Sequence, residues 1–251
     1  MKKITALQND LIKHVASLQG SKARIKSQEF VAEGLRTIQT MLQPNSNLVL
    51  TTLFCTDQTV QLAQTLVPER QIVIVSELIM QKLSTNSSPA DLLAVFKQRQ
   101  LDPKVAQLTP GLVLAQIADP GNMGTLIRTA VAMGYKTVVI VEGCDHYNPK
   151  VIQASAGTIG LINIFKLSWP ELLEHKHDLN LCSLIVQNGQ KPNDLNLKNS
   201  LIIVGNEANG LPENWVKDCT QKLTIPMPGQ TESLNAAVAG SIALYLAVNF
   251  K

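Results

Sequence analysis

Hydrophobic and polar residues alternate along the chain with two different periods. In the first hundred residues, short runs rich in β-branched residues predict strands, and the segments between them repeat apolar residues every three to four positions, as helices do. The predicted strands are EFVAEG, NLVLTTLF, QIVIVS and LLAVF, and the predicted helices are LIKHVASLQ, LRTIQTMLQ and TVQLAQTLV. This order predicts a small α/β domain over residues 1–98.

The rest of the chain repeats the alternation with longer apolar strands. Residues 99–110 are polar and contain two prolines, which indicates a linker before a second domain over residues 111–251. The predicted strands are GLVLAQIA, KTVVIVEG, INIFKL, LCSLIV, SLIIVG and KLTIPM, and the predicted helices are TLIRTAVAM, PKVIQASAG, WPELLEHKH, PENWVK and LNAAVAGSIALYLAVNF. Such strands joined by crossover helices predict a parallel sheet covered on both faces, which binds ligands at the carboxyl ends of its strands.

Composition narrows the class of protein. With 251 residues, 45% of them hydrophobic, the chain is long enough to bury a substantial core. It lacks the run of about 18 apolar residues that a membrane span needs, and its first residues do not form a signal peptide. We therefore expect a cytoplasmic protein that does not contact membranes.

The cysteines and histidines do not suggest a metal centre. The four cysteines are widely separated and we expect buried thiols, while two histidines in EHKHD lack a third ligand nearby. The residues concerned are Cys55, Cys144, Cys182, Cys219, His175 and His177.

The formal net charge of +3 is unevenly distributed. Residues 1–100 contain 11 Lys and Arg against 7 Asp and Glu, whereas residues 101–251 contain 11 against 12. The excess lies near the start, where six basic side chains within 26 residues accompany a single acid, Asp10. Charge alone leaves two interpretations open, a phosphate-binding surface and an ordinary solvated face.

The loop DPGNMG follows the first strand of the second domain. Gly121 and Gly124 allow a tight turn, and Asn122 is expected to cap a helix that begins near Gly124 and ends at Gly134. Arg128, the sole arginine after residue 100, then lies about one turn into that helix. It is either a surface ion-pair partner or a functional residue at the ligand-binding edge of the sheet.

Two further loops also follow predicted strands. In GNEANGLP, turn chemistry explains the glycines and Pro212, which suits the first helical position, but not Glu207. In PMPGQTESLN, Ser233 and Asn235 are both candidate caps of the last helix. That helix is apolar on all sides, so we expect it to be buried within the domain or against a partner subunit, and we predict a homodimer.

The common nucleotide-binding signatures are missing from the sequence. It has neither G-x-x-x-x-G-K-[ST] nor G-x-G-x-x-G at a strand-to-helix junction, which disfavours NTPases, kinases and NAD enzymes. An unrelated nucleotide-dependent α/β enzyme remains an alternative.

Taken together, the three loops resemble one known family. The patterns N-x-G-x-x-x-R, G-x-E-x-x-G-L and I-P-M-x-G-x-x-x-S-L-N resemble, in order and spacing, the motifs of the SpoU (TrmH-like) ribose 2′-O-methyltransferases of the SPOUT class. The first half resembles the L30e-like substrate-binding domain that often precedes them. The resemblance implies an α/β fold with a SPOUT-type parallel sheet and a C-terminal trefoil knot. It implies transfer of methyl from S-adenosyl-L-methionine (SAM) to a ribose 2′-hydroxyl of structured RNA.

The resemblance also implies roles for individual residues. The catalytic set is Arg128, Asn122, Glu207, Ser233 and Asn235; the SAM site is Val204, Gly205, Gly210, Ile225, Met227 and Leu234. The expected RNA contacts are Lys13, Lys22, Arg24, Lys26, Arg36 and Lys150, and no metal is expected. Whether Arg128 removes the proton of the hydroxyl or orients the RNA stays open, since a guanidinium does not readily lose its proton near neutrality.

One position departs from the family pattern. NPKVIQASAG resembles a stretch that often carries an arginine where this chain has Gln153, so RNA contact there is expected to be weaker. We predict ribosomal RNA as the substrate. Transfer RNA and a catalytically inactive RNA-binding protein are the alternatives.

Overall fold

The computed structural model describes residues 1–86, 88, 90–229 and 231–249, and the chain divides into two compact units. The first unit contains Met1–Arg99 and Asp145–Leu161, and the second contains Gln100–Cys144 and the described residues after 161. The boundaries predicted from sequence assign residues 145–161 to the second domain. In the structure this segment packs with the first unit, although it follows a strand of the second.

The first unit is built on a five-stranded mixed sheet of order β1-β4-β3-β5-β2, in which β5 is antiparallel to both its neighbours. Its strands are β1 (Lys2–Ile4), β2 (Glu29–Glu33), β3 (Val49–Cys55), β4 (Ile72–Val75) and β5 (Leu92–Lys97). The helices of residues 1–99 are α1 (Asp10–Ser17), α2 (Ser21–Ser27), α3 (Leu35–Met41), α4 (Val60–Leu66) and α5 (Glu77–Leu83).

Three of these elements are absent from the sequence prediction. β1 has three residues, too few to show a period, and α2 is polar apart from Ala23 and Ile25. The third, α5, carries a recognisable start signal, since Ser76 caps it by accepting a hydrogen bond from the Ile79 amide at 3.4 Å.

The segment 145–161 is anchored to the first unit by Arg24. This side chain is only 2% exposed, and its Nε and Nη2 donate to Asp145 Oδ2 at 2.9 and 2.7 Å. Its Nη1 donates to the carbonyls of Leu18 and Gln19. The prediction that Arg24 binds RNA is therefore wrong, because its guanidinium is buried and already bound to protein acceptors.

The second unit is built on a six-stranded, wholly parallel sheet of order β11-β9-β10-β6-β7-β8, which confirms the predicted parallel α/β fold. Its strands are β6 (Gly111–Ala115), β7 (Thr137–Val141), β8 (Asn163–Lys166), β9 (Asn180–Leu184), β10 (Ser200–Val204) and β11 (Gln221–Leu223). The helices after residue 100 are α6 (Pro120–Ala132), α7 (Pro149–Ala154), α8 (Trp169–His175), α9 (Glu213–Asp218) and α10 (Ala236–Asn249), of which α7 belongs to the first unit.

Both faces of this sheet are covered. On one face, Trp169 of α8 and Trp215 of α9 stack with ring centroids 4.6 Å apart, over alternate side chains of the central strands. On the other, α6 and α10 pack together and α10 lies on β10. Every residue of β6, β7 and β10 is buried, as expected for strands covered on both sides.

The thiols are free, and three of the four are buried as predicted. Cys144 is the exception, being only partly buried. Burial raises the pKa of Cys182 to about 12 and that of Cys219 to about 11. No helix in the described part of the chain is long and apolar enough to cross a membrane.

Candidate active site

The loop after β6 positions the first group of predicted site residues. Helix α6 begins at Pro120 rather than near Gly124, because Asp119 is its cap: Asp119 Oδ1 accepts a hydrogen bond from the Asn122 amide at 2.8 Å. Two predictions are thereby corrected, since Asn122 does not cap the helix and Arg128 lies more than two turns into it. Gly134 follows the helix end as predicted, with φ +82°.

Arg128 projects from α6 as an exposed side chain. No described residue forms a hydrogen bond or ion pair with it. Sequence analysis allows Arg128 to be either a surface ion-pair partner or a functional residue. The described part of the chain does not form such an ion pair.

Side chains from the three loops join in one chain of hydrogen bonds. Asn235 Nδ2 donates to Asn122 Oδ1 at 3.1 Å, and Asn122 Nδ2 donates to Glu207 Oε1 at 3.0 Å. The chemistry of the two ends fixes both amide orientations. Glu207 as a carboxylate can only accept, and Asn235 Oδ1 already accepts from the Ala237 and Val238 amides as the cap of α10.

Glu207 is held as an anion by its neighbours. Burial opposes its ionisation, but hydrogen bonds from the Asn122 side chain and from the backbone amides of Glu207, Ala118 and Asp119 outweigh this and lower the pKa of the carboxyl. The Ala118 and Asp119 amides lie 3.4 and 3.3 Å from its oxygens. Turn chemistry does not explain Glu207, the charge that follows a buried strand. Its hydrogen bonds connect the second loop to the first.

Asn206 is a site residue that sequence reasoning missed. Its Oδ1 accepts from the amides of Ala208 and Asn209 at 3.0 and 3.1 Å, and its Nδ2 donates to the Gln116 carbonyl at 2.9 Å. The loop also closes on itself, since a Cβ on Gly205 would lie 2.6 Å from the carbonyl carbon of Gly210. Asn206 looked like an ordinary turn residue, and its long-range bond to Gln116 leaves no local signal.

The third loop separates its two candidate caps. Asn235 caps α10, whereas Ser233 is exposed and neither accepts nor donates a hydrogen bond among the described residues. The structure thus joins Asn122, Glu207 and Asn235, and leaves Arg128 and Ser233 outside their hydrogen-bond chain.

A pocket of about 420 Å³ lies at the carboxyl ends of β9 and β10. All six residues predicted for the SAM site line it, together with Glu207 and Ser233. The remaining lining residues, which the sequence prediction did not include, are Leu184, Ile185, Val186, Asn206, Ala208, Asn209, Glu232, Ala236 and Ala239. No sequence signal pointed to β9, because its position beside β10 depends on the sheet order.

The pocket suits SAM in size and chemistry. Its volume falls within the roughly 300–1,000 Å³ of small-molecule sites. Aliphatic side chains such as Val204, Ile225 and Leu234 offer apolar walls for an adenine ring, while Glu207 and Glu232 supply negative charge. Its described lining includes no Lys or Arg, which favours a cationic ligand over a phosphorylated one.

The predicted RNA contacts other than Arg24 are exposed. Lys22 and Lys26 lie four residues apart on α2, so they share one side of the helix with Ile25, which is 66% exposed. Lys13 lies 3.6 Å from Asp10, a weak exposed pair. Arg36 and Lys150 form no ion pair with any described residue.

Comparison with known families assigns both halves of the chain. The model of the SpoU rRNA Methylase family matches residues 110–245, more than half of the chain, and that of the MRM3-like substrate binding domain matches residues 9–94. The chain belongs to the SpoU rRNA methylase family. The predicted family is thereby confirmed, and with it the reaction class and the SAM cofactor.

Individual relatives match nearly the whole chain. An uncharacterized tRNA/rRNA methyltransferase of Synechocystis is 31% identical over 96% of this chain and 92% of its own length. The 23S rRNA (guanosine(2553)-2′-O)-methyltransferase RlmP of Bacillus subtilis is 28% identical over 98% of both chains. An AdoMet-bound rRNA methyltransferase from Sinorhizobium meliloti has a TM-score of 0.87 at 24% identity, over 98% of this chain and 97% of that one, which shows a common fold.

Proposed function

We propose that this SpoU protein transfers a methyl group from SAM to a ribose 2′-hydroxyl of ribosomal RNA. The observation that carries the proposal is the hydrogen-bonded chain Asn235–Asn122–Glu207 beside the pocket. It joins all three loops at the carboxyl edge of a parallel sheet, where such folds bind their ligands.

The residues of the pocket hold and orient the cofactor. When bound, SAM supplies a methyl group already activated on a sulfonium. Val204, Gly205, Gly210, Ile225, Met227 and Leu234 form its site. The network of Asn122, Glu207 and Asn235 keeps the three loops at fixed spacing, which preserves the alignment of the two reactants.

Arg128 and Ser233 act on the RNA side of the reaction. Both are exposed and free of described partners, so their donors are available to a substrate. A guanidinium has five N–H donors and no acceptor, so we assign Arg128 to orienting the ribose and a flanking phosphate, and the proton of the hydroxyl passes to solvent water as the methyl group is transferred.

The first unit supplies the contact with structured RNA. Exposed cations on it are Lys13, Lys22, Lys26, Arg36 and Lys150, whereas the exposed Gln153 adds no charge for a phosphate contact. RlmP of Bacillus subtilis methylates a 23S rRNA guanosine, and ribosomal RNA is the substrate class that we assign here. Because that substrate belongs to the ribosome, we assign the protein to the cytoplasm.

We also propose a C-terminal trefoil knot in the second unit. Thr224, directly after β11, is enclosed by the chain that follows β9: its amide donates to the Gln190 carbonyl at 2.9 Å, and its Oγ1 contacts the Ile185 carbonyl and the Gly189 amide at 3.0 Å. The chain then crosses to α10, which lies on β10. This path supports threading of the C-terminal segment through the loop after β9.

A homodimer would cover α10. Val238, Tyr245 and Val248 lie seven and three residues apart, on one side of the helix, and are 49%, 53% and 48% exposed. An apolar stripe of this kind is typical of an interface, so we propose that a second copy packs on it.

An assay with purified protein tests the activity. With methyl-labelled SAM and a mixture of ribosomal and transfer RNA, we expect label in 2′-O-methyl nucleosides of the ribosomal fraction. The Arg128→Ala variant should bind SAM as wild type does but transfer methyl at least about a hundredfold more slowly. Label confined to transfer RNA would contradict the substrate, and RNA binding without any transfer would favour the inactive alternative.

A further inference from the structure

The two carboxylates that line the cofactor pocket, Glu207 and Glu232, differ in their hydrogen bonding. Both oxygens of Glu207 accept hydrogen bonds, from Asn122, from two backbone amides and from Asn206 at 3.5 Å. Glu232 is exposed, and no donor among the described residues reaches it. Within the described lining, Glu232 is thus the free negative charge, and no Lys or Arg neutralises it.

Glu232 also belongs to the loop that carries two of the proposed catalytic residues. It directly precedes Ser233 and is three residues before Asn235, on the loop between β11 and α10. That loop reaches Asn122 through Asn235. The group to be transferred must face this network, so we expect the sulfonium on the side of the pocket that this loop lines.

We infer that Glu232 is the counter-charge of the sulfonium and makes the pocket favour SAM over its demethylated product. The inference rests on the cofactor site proposed above. SAM carries a sulfonium, an ammonium and a carboxylate, whereas S-adenosylhomocysteine has a neutral thioether in place of the sulfonium. The attraction to Glu232 is therefore present before transfer and absent after it, which favours exchange of product for fresh cofactor.

The exposure of Glu232 to solvent limits how much its charge changes the affinity for SAM. Ion pairs open to solvent contribute modestly, so we expect about a fivefold change in affinity rather than a thousandfold one. Salt should weaken it, since exposed charges are screened.

Binding calorimetry on the full chain tests the inference without measuring activity. The variants are Glu232→Gln, which removes the charge at nearly constant volume, and Glu213→Gln, which removes an exposed charge of α9 outside the pocket lining. Each is titrated with SAM, with S-adenosylhomocysteine and with sinefungin, a cofactor analogue with an ammonium-bearing carbon in place of the sulfonium.

We expect Glu232→Gln to bind SAM and sinefungin about fivefold more weakly and S-adenosylhomocysteine within twofold of wild type, with Glu213→Gln unchanged. Equal weakening for SAM and S-adenosylhomocysteine, or no weakening, would overturn the role of Glu232 while leaving the cofactor site intact. Failure of the wild type to bind any of the three would overturn the cofactor site and the inference together.

Discussion

At the scale of single residues, the carboxylate of Glu207 fixes which group donates and which accepts in the hydrogen-bonded chain Asn235–Asn122–Glu207. Glu207 accepts from Asn122, and Asn122 in turn accepts from Asn235. Both oxygens of Glu207 accept from N–H groups. A glutamine at position 207 would replace one of these acceptors with an NH₂ donor, so at least one of these hydrogen bonds would be lost. The loops would then lose their fixed spacing.

We expect Glu207→Gln to slow methyl transfer by roughly tenfold or more and to lower stability by about 1 kcal/mol at neutral pH. Because the folded-state pKa of Glu207 is lowered, its stabilising contribution is present above the unfolded value of about 4.3 and is lost as pH falls through the folded value. Unfolding of wild type and variant between pH 3 and 8 measures this. A difference that persists undiminished at pH 3 would show that the Glu207 charge is not the source of the stabilisation. Glu174→Gln, which removes an exposed charge on α8, is the control.

The buried Arg24–Asp145 pair provides a second test at this scale. Asp145→Asn would leave the buried guanidinium without its counter-charge, and we expect a loss of about 2–3 kcal/mol in the free energy of unfolding, reduced by the partial exposure of Asp145. Asp57→Asn, which breaks the exposed pair with Lys3, should change it by less than about 1 kcal/mol. Similar losses in denaturant unfolding of the two variants would contradict the structural role of Arg24.

Some functional and buried residues could be recognised from the sequence and others could not. Asn122, Glu207 and Asn235 could be selected because each stands in a patterned loop after a strand. Arg24 could not be recognised as buried, since its partner lies 121 positions away and its neighbours Lys22 and Lys26 are exposed. Asn206 could not be recognised either, because a turn by itself explains an asparagine at that position.

At the scale of elements, local signals predicted most strands and helices but not every boundary. The strands of the second unit were recognisable because they are almost continuously apolar. The predicted start of α6 near Gly124 is too late, although Asp119 followed by Pro120 is a common pair of a cap and a first helical residue. Both β1 and α2 lacked a period long enough to recognise.

The enclosure of Thr224 makes a prediction about the loop after β9. A Cβ on Gly189 would lie 2.5 Å from Thr224 Oγ1 and 2.9 Å from backbone atoms of Leu223 and Thr224. We therefore expect Gly189→Ala to destabilise the protein by about 1–3 kcal/mol, as other overpacked sites do. Gly229→Ala is the matched control, because a Cβ there would meet no described atom within 4 Å. Equal thermal stability of the two variants would argue against this close passage.

At the scale of the whole molecule, the alternation of strands and helices was enough to predict an α/β protein with a parallel sheet. The order β11-β9-β10-β6-β7-β8 could not be predicted, because pairing between strands far apart in sequence leaves no local period. For the same reason the sequence did not reveal that residues 145–161 pack with the first unit.

The exposed stripe of α10 predicts the oligomeric state. We expect sedimentation of the wild type as a dimer at micromolar concentration and of Tyr245→Glu as a folded monomer, since a charge would be buried unpaired at the interface. Val105→Glu, at an 86% exposed position before the second sheet, should leave the dimer intact. A monomeric wild type would contradict the proposed interface.

Methylation of a ribose of ribosomal RNA is the activity proposed for this protein. The most direct measurement maps 2′-O-methyl positions across the ribosomal RNA of cells that carry the gene, lack it, or carry it with Arg128→Ala. We expect a discrete position to lose its methyl group without the gene, to regain it with the wild type and not to regain it with the variant. An unchanged methylation map would contradict the proposed activity, and full restoration by Arg128→Ala would contradict the role of Arg128.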